Sequence, residues 1–438
     1  MSSRAGRRQS PAGGLAPLAK APTVGRMPSP SRAALTHGMV IAAVVLLTGL
    51  QPVSTDLYLP GLPTLRSDFG VSASAVQMAH SLYVLCFGFS QLAWGPASDR
   101  FGRRPTLGLG LAMYVGAGVV SLLAGSMPVF TIARAVQGVG LAACMVCVRA
   151  LVRDLYEPHE GTRVTAAAMS IFCVIAIGAP LVGGAVASAW GWRGALGVTA
   201  LYGCATMLFI VTRFPETARR LNPQATRLAP LLRTYAGIVR HPGFVAWTAL
   251  MAFGYGAYFA FYAASSFTYV GQFGVSRNAY GLVLAGGSIA YLAGTLLCRR
   301  WLAAHGVRGT VARATVFSTL SVLMFVVPVF HGGHTFWTLS IALWLHLMGY
   351  GAQQPCAQVG MAGPFPLEAG AATALGGCIL AVGAALSGMW LGSSFDGTAN
   401  SIALIVAVLV AGCGITALTL VQRYGAATPV LPVASSPP

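Results

Sequence analysis

The chain has 438 residues, of which 56% are hydrophobic and only 8% are charged. A water-soluble domain cannot bury that much apolar surface, and apolar windows of about 18 or more residues, long enough to span a bilayer as helices, recur along the whole length. Strands of about ten alternating residues, which would indicate a transmembrane barrel, are missing from the sequence. The composition therefore predicts an all-α polytopic membrane protein.

The formal net charge is +18 at pH 7. In a soluble chain this charge would suggest nucleic-acid binding, but in a membrane protein Lys and Arg concentrate on the cytoplasmic loops. We therefore expect no nucleic-acid partner. The nine cysteines fall within or beside apolar runs, and the pair Cys144-x-x-Cys147 has no second pair to complete a metal site. We expect neither a metal nor a cofactor.

The chain order predicts two bundles between two tails. Residues 1–34 carry six basic residues and no acidic ones, and their Pro, Ser, Gly and Ala content predicts a disordered cytoplasmic tail. The predicted domains that follow are a six-helix bundle at 35–212, a basic cytoplasmic linker at 213–241, a second six-helix bundle at 242–422 and a tail at 423–438. The twelve predicted helices are 37–56, 75–95, 105–125, 130–152, 165–188, 194–212, 243–263, 279–298, 311–330, 336–356, 371–392 and 400–421.

The distribution of basic residues predicts the orientation in the membrane. Placing both termini in the cytoplasm puts 22 Lys and Arg residues on the cytoplasmic side and only Arg66, Arg193 and Arg277 on the other. Arg134 and Arg149 lie within a predicted helix. Because cytoplasmic loops carry the excess of basic residues, this asymmetry favours a multi-pass protein with both termini inside.

The two predicted bundles also carry a weak internal repeat. Gly95, Asp99 and Arg100 follow the second predicted helix, and their counterparts lie 199 positions later, after the eighth. Duplicated six-helix halves with a substrate cavity between them are a known transporter architecture. The counterpart of the aspartate is Cys298, so the two halves have diverged at this position.

The stretch Gly95–Pro105 concentrates three arginines and one aspartate between two apolar runs, and it predicts a polar turn where helices leave the bilayer. It resembles the signature between the second and third helices of the major facilitator superfamily, G-x-x-x-D-R-x-G-R-[RK]. The matching residues are Gly95, Asp99, Arg100, Gly102, Arg103 and Arg104.

This resemblance implies the major facilitator fold, with 12 transmembrane helices in two pseudo-symmetric six-helix bundles. It also implies a conformational gate at the cytoplasmic face, in which the loop holds the two halves together in the outward-open state. Asp99 would then lie near the positive N-terminus of the eleventh helix, and Arg103 would pair with a carboxylate such as Asp154. The alternative is a solvated loop whose charges only set the topology.

Further stretches resemble twelve-helix drug:H⁺ antiporters, especially the Bcr/CflA group. They are Gln51–Pro63 in the first helix, Arg134–Gly140 and Arg149–Tyr156 at the fourth, Gly178–Gly184 in the fifth and Glu368–Gly377 at the eleventh. The resemblance spans about residues 36–422. It implies efflux driven by the proton gradient, with no bound cofactor.

The proton-coupling residues that this resemblance implies are Asp56, as proton acceptor, and Arg134, as its charge partner. Charges within a helix bundle are costly and need a partner or a wet cavity. If the first and fourth helices are neighbours, as the fold implies, these two side chains can approach each other. The alternatives are that Asp56 is a surface group at the end of its helix and that Arg134 only binds backbone carbonyls. Related exporters can carry a second carboxylate two turns before the first, where this sequence has Thr48.

The antiporter motif comprises Gly178, Pro180, Gly183 and Gly184, although many members have glycine where this chain has Ala179. These residues allow the fifth helix to bend and to pack closely. In the antiporters the motif is thought to prevent proton leak. An ordinary packing face of small residues is the alternative.

The substrate cavity is predicted from aromatic and polar residues within helices. Tyr255, Tyr258, Phe259 and Tyr262 share one face of the seventh helix and would suit an apolar pocket of broad specificity, although such stripes also serve in packing. The remaining candidates are Gln137, His346 and Tyr350. His346, like His80, would titrate near neutral pH if it were solvated, or be a hydrogen-bonded core histidine.

The sequence therefore predicts a monomeric secondary active transporter in the bacterial cell inner membrane. It would export small apolar or amphipathic compounds of the drug or antimicrobial type in exchange for protons, by alternating access. A proton-coupled metabolite transporter of narrow specificity is the alternative, and an intramembrane transferase is a remote one. We expect no enzyme, because none of the nine acidic residues stands at a catalytic spacing from a histidine.

Overall fold

The computed structural model describes residues 36–156, 158–218, 221–366 and 368–425. The predicted tail at 1–34 and most of the tail at 423–438 lie outside these ranges. Within them all regular secondary structure is helical, as the composition predicted. The helices are α1 (His37–Thr55), α2 (Leu62–Phe69), α3 (Ala73–Phe101), α4 (Arg103–Leu122), α5 (Met127–Leu155), α6 (Pro158–Arg213), α7 (Leu228–Arg240), α8 (Pro242–Ser266), α9 (Arg277–Phe330), α10 (Phe336–Ala362), α11 (Ala369–Ser394), α12 (Ala399–Leu418) and α13 (Leu420–Tyr424).

Two of these helices are each interrupted by one glycine. Gly191 in α6 has φ 64° and ψ −164°, and Gly306 in α9 has φ 65° and ψ −176°. Residues with a side chain rarely adopt these angles, so the glycines mark the ends of helices that follow one another without a loop. The interruptions divide α6 into 158–190 and 192–213, and α9 into 277–305 and 307–330.

Eight helical ranges among the described residues have the length and apolar composition needed to cross a membrane. Two of the eight contain the interruptions in α6 and α9, so together they provide ten segments. α3 and α10 have 29 and 27 residues, which is long enough to span, but they fall outside that set. These twelve segments correspond to the predicted twelve within several residues at each boundary, and spanning by α3 and α10 stays a prediction.

The polar stretch at 95–105 is more helical than the sequence indicated. α3 continues to Phe101 and α4 begins at Arg103, so Gly102 alone forms the turn, with φ 100°. Asp99 and Arg100 lie on the last turn of α3, and Arg103 and Arg104 lie on the first turn of α4, so the charged residues belong to helices rather than to a loop. A helix ends where the backbone must turn, and here only glycine permits the required φ.

The predicted linker at 213–241 contains the amphipathic helix α7. Its Ile238 is buried, whereas Leu228 and Leu232 are exposed. Tyr235 donates a hydrogen bond from its hydroxyl to the carbonyl oxygen of Leu92 in α3, at 3.3 Å. This contact attaches the linker helix to the first bundle.

The helices form two groups that meet along two pairs. In the first group α4 and α3 pack on α5, and α1 packs on α6; in the second, α11 and α12 pack on α8, and α10 packs on α9. The two groups meet where α3 packs on α11 and where α6 packs on α9. We call the end of the molecule that contains Gly102 the basic end, and the opposite end, which contains Leu59 and Phe267, the distal end.

Apolar side chains from both groups close the distal end. Leu59 and Leu62, which follow α1, belong to one buried cluster with Phe261 on α8 and Phe267, which follows α8. Since burial of apolar surface is the main favourable term in packing two elements, this cluster holds the halves together at the distal end.

The predicted antiporter motif lies at this distal contact. A Cβ added to Gly183 would collide with the carbonyl oxygen of Leu57, and one added to Gly184 would lie 2.7 Å from the carbonyl oxygen of Arg277 in the second half. Pro180 presents its carbonyl oxygen to Gly281 of the second half, 2.6 Å from the position of a Cβ there. The glycines therefore allow helix backbones from both halves to approach closely.

Replacing Gly183 should destabilise the protein, because backbone atoms of Leu57 cannot move aside as a flexible side chain can. We expect Gly183→Ala to cost about 1–3 kcal/mol of stability and to lower the apparent melting temperature of the purified protein in detergent. Gly178→Ala is the matched control, since no atom lies within 4 Å of a Cβ built on Gly178. Equal melting temperatures for both variants would contradict the close approach.

Candidate functional site

A central cavity of about 230 Å³ lies between the two groups of helices. Both groups contribute to its wall, which combines aromatic rings with a few polar groups. The lining residues are Gln51, Pro52, Thr55, Asp56, Phe172, Cys173, Ala176 and Ile177 from the first half and Tyr255, Tyr258, Tyr262, Gly287, Ser288, Tyr291, Leu292, Leu347, Tyr350 and Gln354 from the second.

Asp56 brings a carboxylate into this wall. The chain leaves α1 at Thr55, and the amide of Asp56 still donates to the carbonyl of Pro52 at 2.8 Å, which fixes the backbone as the helix ends. Only 8% of the residue is exposed, so Asp56 is no surface group. Its Oδ1 accepts hydrogen bonds from Thr55 Oγ1 at 2.7 Å and from the Tyr258 hydroxyl at 3.2 Å.

Arg134 lies on α5 and is completely buried. It donates from Nη1 to Gln137 Oε1 at 2.6 Å and from Nη2 to the carbonyl oxygen of Ser54 at 2.8 Å. Its guanidinium carbon also lies 4.6 Å from the ring centroid of Tyr58 and 4.2 Å from that of Tyr83. Aromatic faces attract cations, so the rings and the carbonyl together stabilise the buried charge.

The direct ion pair expected between Asp56 and Arg134 is not among the ion pairs of the described residues. The ring of Tyr58 covers the guanidinium, and its hydroxyl forms a 2.7 Å hydrogen bond with His80 Nδ1. The alternative interpretation of Arg134, as a partner of backbone carbonyls, describes its contact with Ser54. Whether it acts in proton coupling stays a prediction.

His80 connects this cluster with the second half. It is buried, and its ring stacks on that of Phe259 in α8 with centroids 4.9 Å apart. A space of about 20 Å³ beside the central cavity is lined by His80, Phe259 and Asp56, among others. Phe259 therefore faces α3 and does not line the central cavity, whereas Tyr255, Tyr258 and Tyr262 of the same helix do.

Some of the remaining residues predicted to line the cavity do so, and others lie elsewhere. Tyr255, Tyr258, Tyr262 and Tyr350 line the cavity, but Gln137 and His346 do not. Gln137 binds Arg134, and the buried His346 forms a 3.1 Å hydrogen bond through Nε2 with the carbonyl oxygen of Gly254. Both are core groups here, because each has a fixed hydrogen-bond partner within its own half.

Several residues that line the cavity were not predicted from the sequence, and most of them lie on α6 and α9. Tyr291 of α9 donates a hydrogen bond to Gln354 Oε1 of α10. Ser288 of α9 donates to the carbonyl oxygen of Ala176 in α6 at 3.2 Å, across the two halves. The available signal was the presence of Gln51, Ser288 and Gln354 in apolar helices, where polar groups face the protein interior.

At the basic end Arg103 is the centre of a polar network. Its buried guanidinium donates from Nε to Asp154 Oδ2 at 2.9 Å and from Nη1 to Asp99 Oδ1 at 2.6 Å. The pairing of Arg103 with Asp154 is thereby confirmed. Glu216, which the sequence did not single out, accepts hydrogen bonds from the backbone amides of Arg103 at 2.9 Å and Arg104 at 3.1 Å, and so caps α4.

The partners recorded for Asp99 belong to α4 and the linker, and its nearness to the N-terminus of the eleventh helix stays a prediction. The carboxylate binds Arg103, and the carbonyl oxygen of Asp99 accepts from the amide of Asn222 in the linker at 2.9 Å. Arg100 donates to Thr226 Oγ1, also in the linker, at 2.5 Å. A Cβ added to Gly102 would lie 2.5 Å from Glu216, whereas one on Gly95 meets nothing within 4 Å. The network thus joins α3, α4, α5 and the linker.

A lysine in place of Arg134 cannot make the same contacts. Its single ammonium cannot donate to both Gln137 and Ser54, as the planar guanidinium does, and it cannot stack between two rings. We expect Arg134→Lys to cost about 2 kcal/mol and to lower the apparent melting temperature in detergent. Arg66→Lys, at an exposed position of α2, should leave it unchanged. An unchanged melting temperature for Arg134→Lys would show that these contacts contribute nothing to stability.

Three proteins of similar sequence have names that refer to drug resistance. Multidrug resistance protein D of Escherichia coli is 28% identical over 393 residues, which cover 88% of this chain and 97% of that protein. The bicyclomycin resistance protein homolog of Haemophilus influenzae is 30% identical over 241 residues, 55% of this chain and 61% of that protein. The chloramphenicol resistance protein of Pseudomonas aeruginosa is 33% identical over 257 residues, 57% and 60% of the two chains.

Solved structures share the fold. A peptide transporter in complex with sulfate aligns with a TM-score of 0.72 at 12% identity, over 88% of this chain and 95% of that one. A D-xylose-proton symporter aligns with a TM-score of 0.70 at 14% identity, over 90% and 98%. The family model described as Major Facilitator Superfamily matches residues 44–276. The chain is a multi-pass membrane protein that belongs to the major facilitator superfamily.

Proposed function

We propose that the protein exports small apolar or amphipathic compounds of the drug or antimicrobial type in exchange for protons, by alternating access. The proposal is supported by three relatives whose names refer to multidrug, bicyclomycin and chloramphenicol resistance. The relative named for multidrug resistance is matched over 97% of its own length, so the similarity extends through both halves.

The observation that carries the proposal is the buried carboxylate of Asp56 in the wall of a cavity between the two halves. A carboxyl group can take up and release a proton, and a position between halves that separate on alternate sides gives it access to each side in turn. In this proposal Asp56 is the proton acceptor. Arg134, whose guanidinium lies over the ring of Tyr58, acts as a fixed positive charge that influences the protonation of Asp56 without contacting it.

The chemistry of the cavity wall suits the proposed substrates. Tyr255, Tyr258 and Tyr262 provide aromatic faces with polar edges, and Phe172 and Ile177 provide apolar contacts from α6. Pockets of broad specificity bury apolar ligands against such surfaces and fix their orientation with a few polar groups. No charge other than that of Asp56 occurs among the lining residues that are described.

The proposed orientation places the basic end in the cytoplasm of a bacterium, with the chain in the inner membrane and both termini inside. This assignment is supported by the excess of basic residues on the loops of that end. In the proposed cycle the network around Arg103 acts on the conformational equilibrium rather than on the substrate, since it lies at the basic end and its partners are α3, α5 and the linker.

A metabolite transporter of narrow specificity is the second candidate. The observation that favours it is the set of polar groups on the wall, in particular Gln51, Ser288 and Gln354, which could recognise a hydroxylated compound. A susceptibility screen of a drug-sensitive bacterial host that expresses the chain, with and without a protonophore, separates the two. Protonophore-sensitive resistance to several unrelated compounds supports drug export, whereas no resistance favours the metabolite transporter.

Asp56→Asn tests the proposed proton site. The amide keeps the size of the side chain but cannot take up a proton, so drug accumulation driven by a pH gradient in inverted membrane vesicles should be abolished. Drug binding to the purified variant should persist, because the cavity wall is otherwise unchanged. Full retention of accumulation driven by the gradient would remove Asp56 from the coupling mechanism.

A further inference from the structure

We propose that Tyr258 is a coupling residue that locks the empty transporter. Its hydrogen bond to ionised Asp56 keeps the distal end closed while the cavity contains neither substrate nor proton, and the binding of either one releases this lock. The inference rests on the proposed proton-coupled export, and it adds a reason why such a protein would not leak protons when no substrate is present.

The bond joins the two halves of the molecule. Asp56 follows α1 in the first half, whereas Tyr258 lies on α8 in the second, and the hydroxyl donates to Oδ1 at 3.2 Å. Thr55 donates to the same oxygen at 2.7 Å and so fixes the carboxylate in the orientation that Tyr258 meets. A separation of the halves at this level must break the bond from Tyr258 and leaves the bond from Thr55 intact.

The bond also lies beside the closed distal end. Three residues after Asp56, Leu59 enters the apolar cluster of that end, and three residues after Tyr258, Phe261 enters the same cluster. The distal end therefore cannot open without moving the end of α1 away from α8. Breaking the Asp56–Tyr258 hydrogen bond is part of that movement.

The strength of this bond depends on the charge of Asp56. Hydrogen bonds to an ionised carboxylate are shorter and about twice as strong as those to a neutral group. A proton on Asp56 thus weakens the bond and favours opening. The other titratable or charged groups around Asp56 are Tyr58 on its own segment, His80 and Tyr83 on α3, Arg134 on α5, Cys173 on α6, Tyr255 and Tyr262 on α8, Tyr280 and Tyr291 on α9, and Tyr350 on α10.

Substrate releases the lock by a different route. The ring of Tyr258 lies 4.2 Å from that of Tyr262 and 5.8 Å from that of Tyr255, and all three line the cavity. A compound that packs against these rings shifts Tyr258 and withdraws its hydroxyl from Asp56. The deprotonated protein can then open at the distal end only when it carries substrate.

The requirement for substrate prevents a proton leak. An exchanger that reorients while it is empty and deprotonated moves protons without exporting any substrate. It would take up a proton on one side, release it on the other and return empty. Tyr258→Phe removes the donor and keeps the ring, so it should allow this cycle. We expect the drug-free proton influx into proteoliposomes under a pH gradient, followed with an entrapped pH dye, to rise roughly tenfold.

Tyr202→Phe is the matched control. Its hydroxyl is also hydrogen-bonded, to the carbonyl oxygen of Leu46 at 3.1 Å, but both residues belong to the first half. This variant should keep the low proton influx of the wild type. A drug-free influx in Tyr258→Phe equal to that of the wild type would overturn the lock, provided that the wild type exchanges drug for protons. Absence of exchange in the wild type would instead overturn the proposed function.

Hydrogen exchange measures the opening independently of transport, and it also detects a misfolded variant. Deuterium uptake in segments 57–65 and 267–273 should rise in drug-free Tyr258→Phe and in Asp56→Asn, which resembles the protonated state, and uptake elsewhere should match the wild type. Asp56→Asn should not leak, because it cannot carry a proton. Unchanged uptake at the distal end in both variants contradicts the proposal.

Discussion

The constraint on which this structure depends is the cost of placing a charge among apolar helices. The structure meets this cost in two ways at the centre of the molecule. Arg134 has fixed partners, all within the first half, in Gln137, the carbonyl of Ser54 and two aromatic rings. Asp56 has two hydroxyl donors, one of which belongs to the other half. The contacts of Arg134 therefore stay the same when the halves move, whereas the contacts of the Asp56 carboxylate change.

The two ends of the molecule differ in how they are held. At the distal end, apolar side chains and the glycines of α6 bring the backbones of the two halves into direct contact. At the basic end, Arg103 and Glu216 join α3, α4 and α5 to one another and to the start of the linker. The polar network thus links the helices of the first half to one another and to the linker, and the site at Asp56 lies between the two halves.

Much of the fold follows from the sequence, because an apolar run of sufficient length has few alternatives to a membrane helix. The end of α3 and the helix α7 could not be placed, since charged residues are compatible with either a loop or a helix that extends beyond the bilayer. The proximity of Asp56 to the tyrosines of α8 could be predicted from the resemblance and from helical spacing. The contacts of Tyr58 and His80, and the part that α9 takes in the cavity wall, could not be predicted, because an apolar helix does not reveal which of its faces lines a cavity.

The most direct test of a carboxylate that exchanges protons for substrate is to count the protons. Drug is added to the purified protein in weakly buffered detergent solution, and proton release is measured from about pH 5 to about pH 9. Release from the wild type should reach a maximum that approaches one proton per transporter within this range, and Asp56→Asn should release none. Equal release from both proteins, or no release from the wild type at any pH, would contradict a proton site at Asp56.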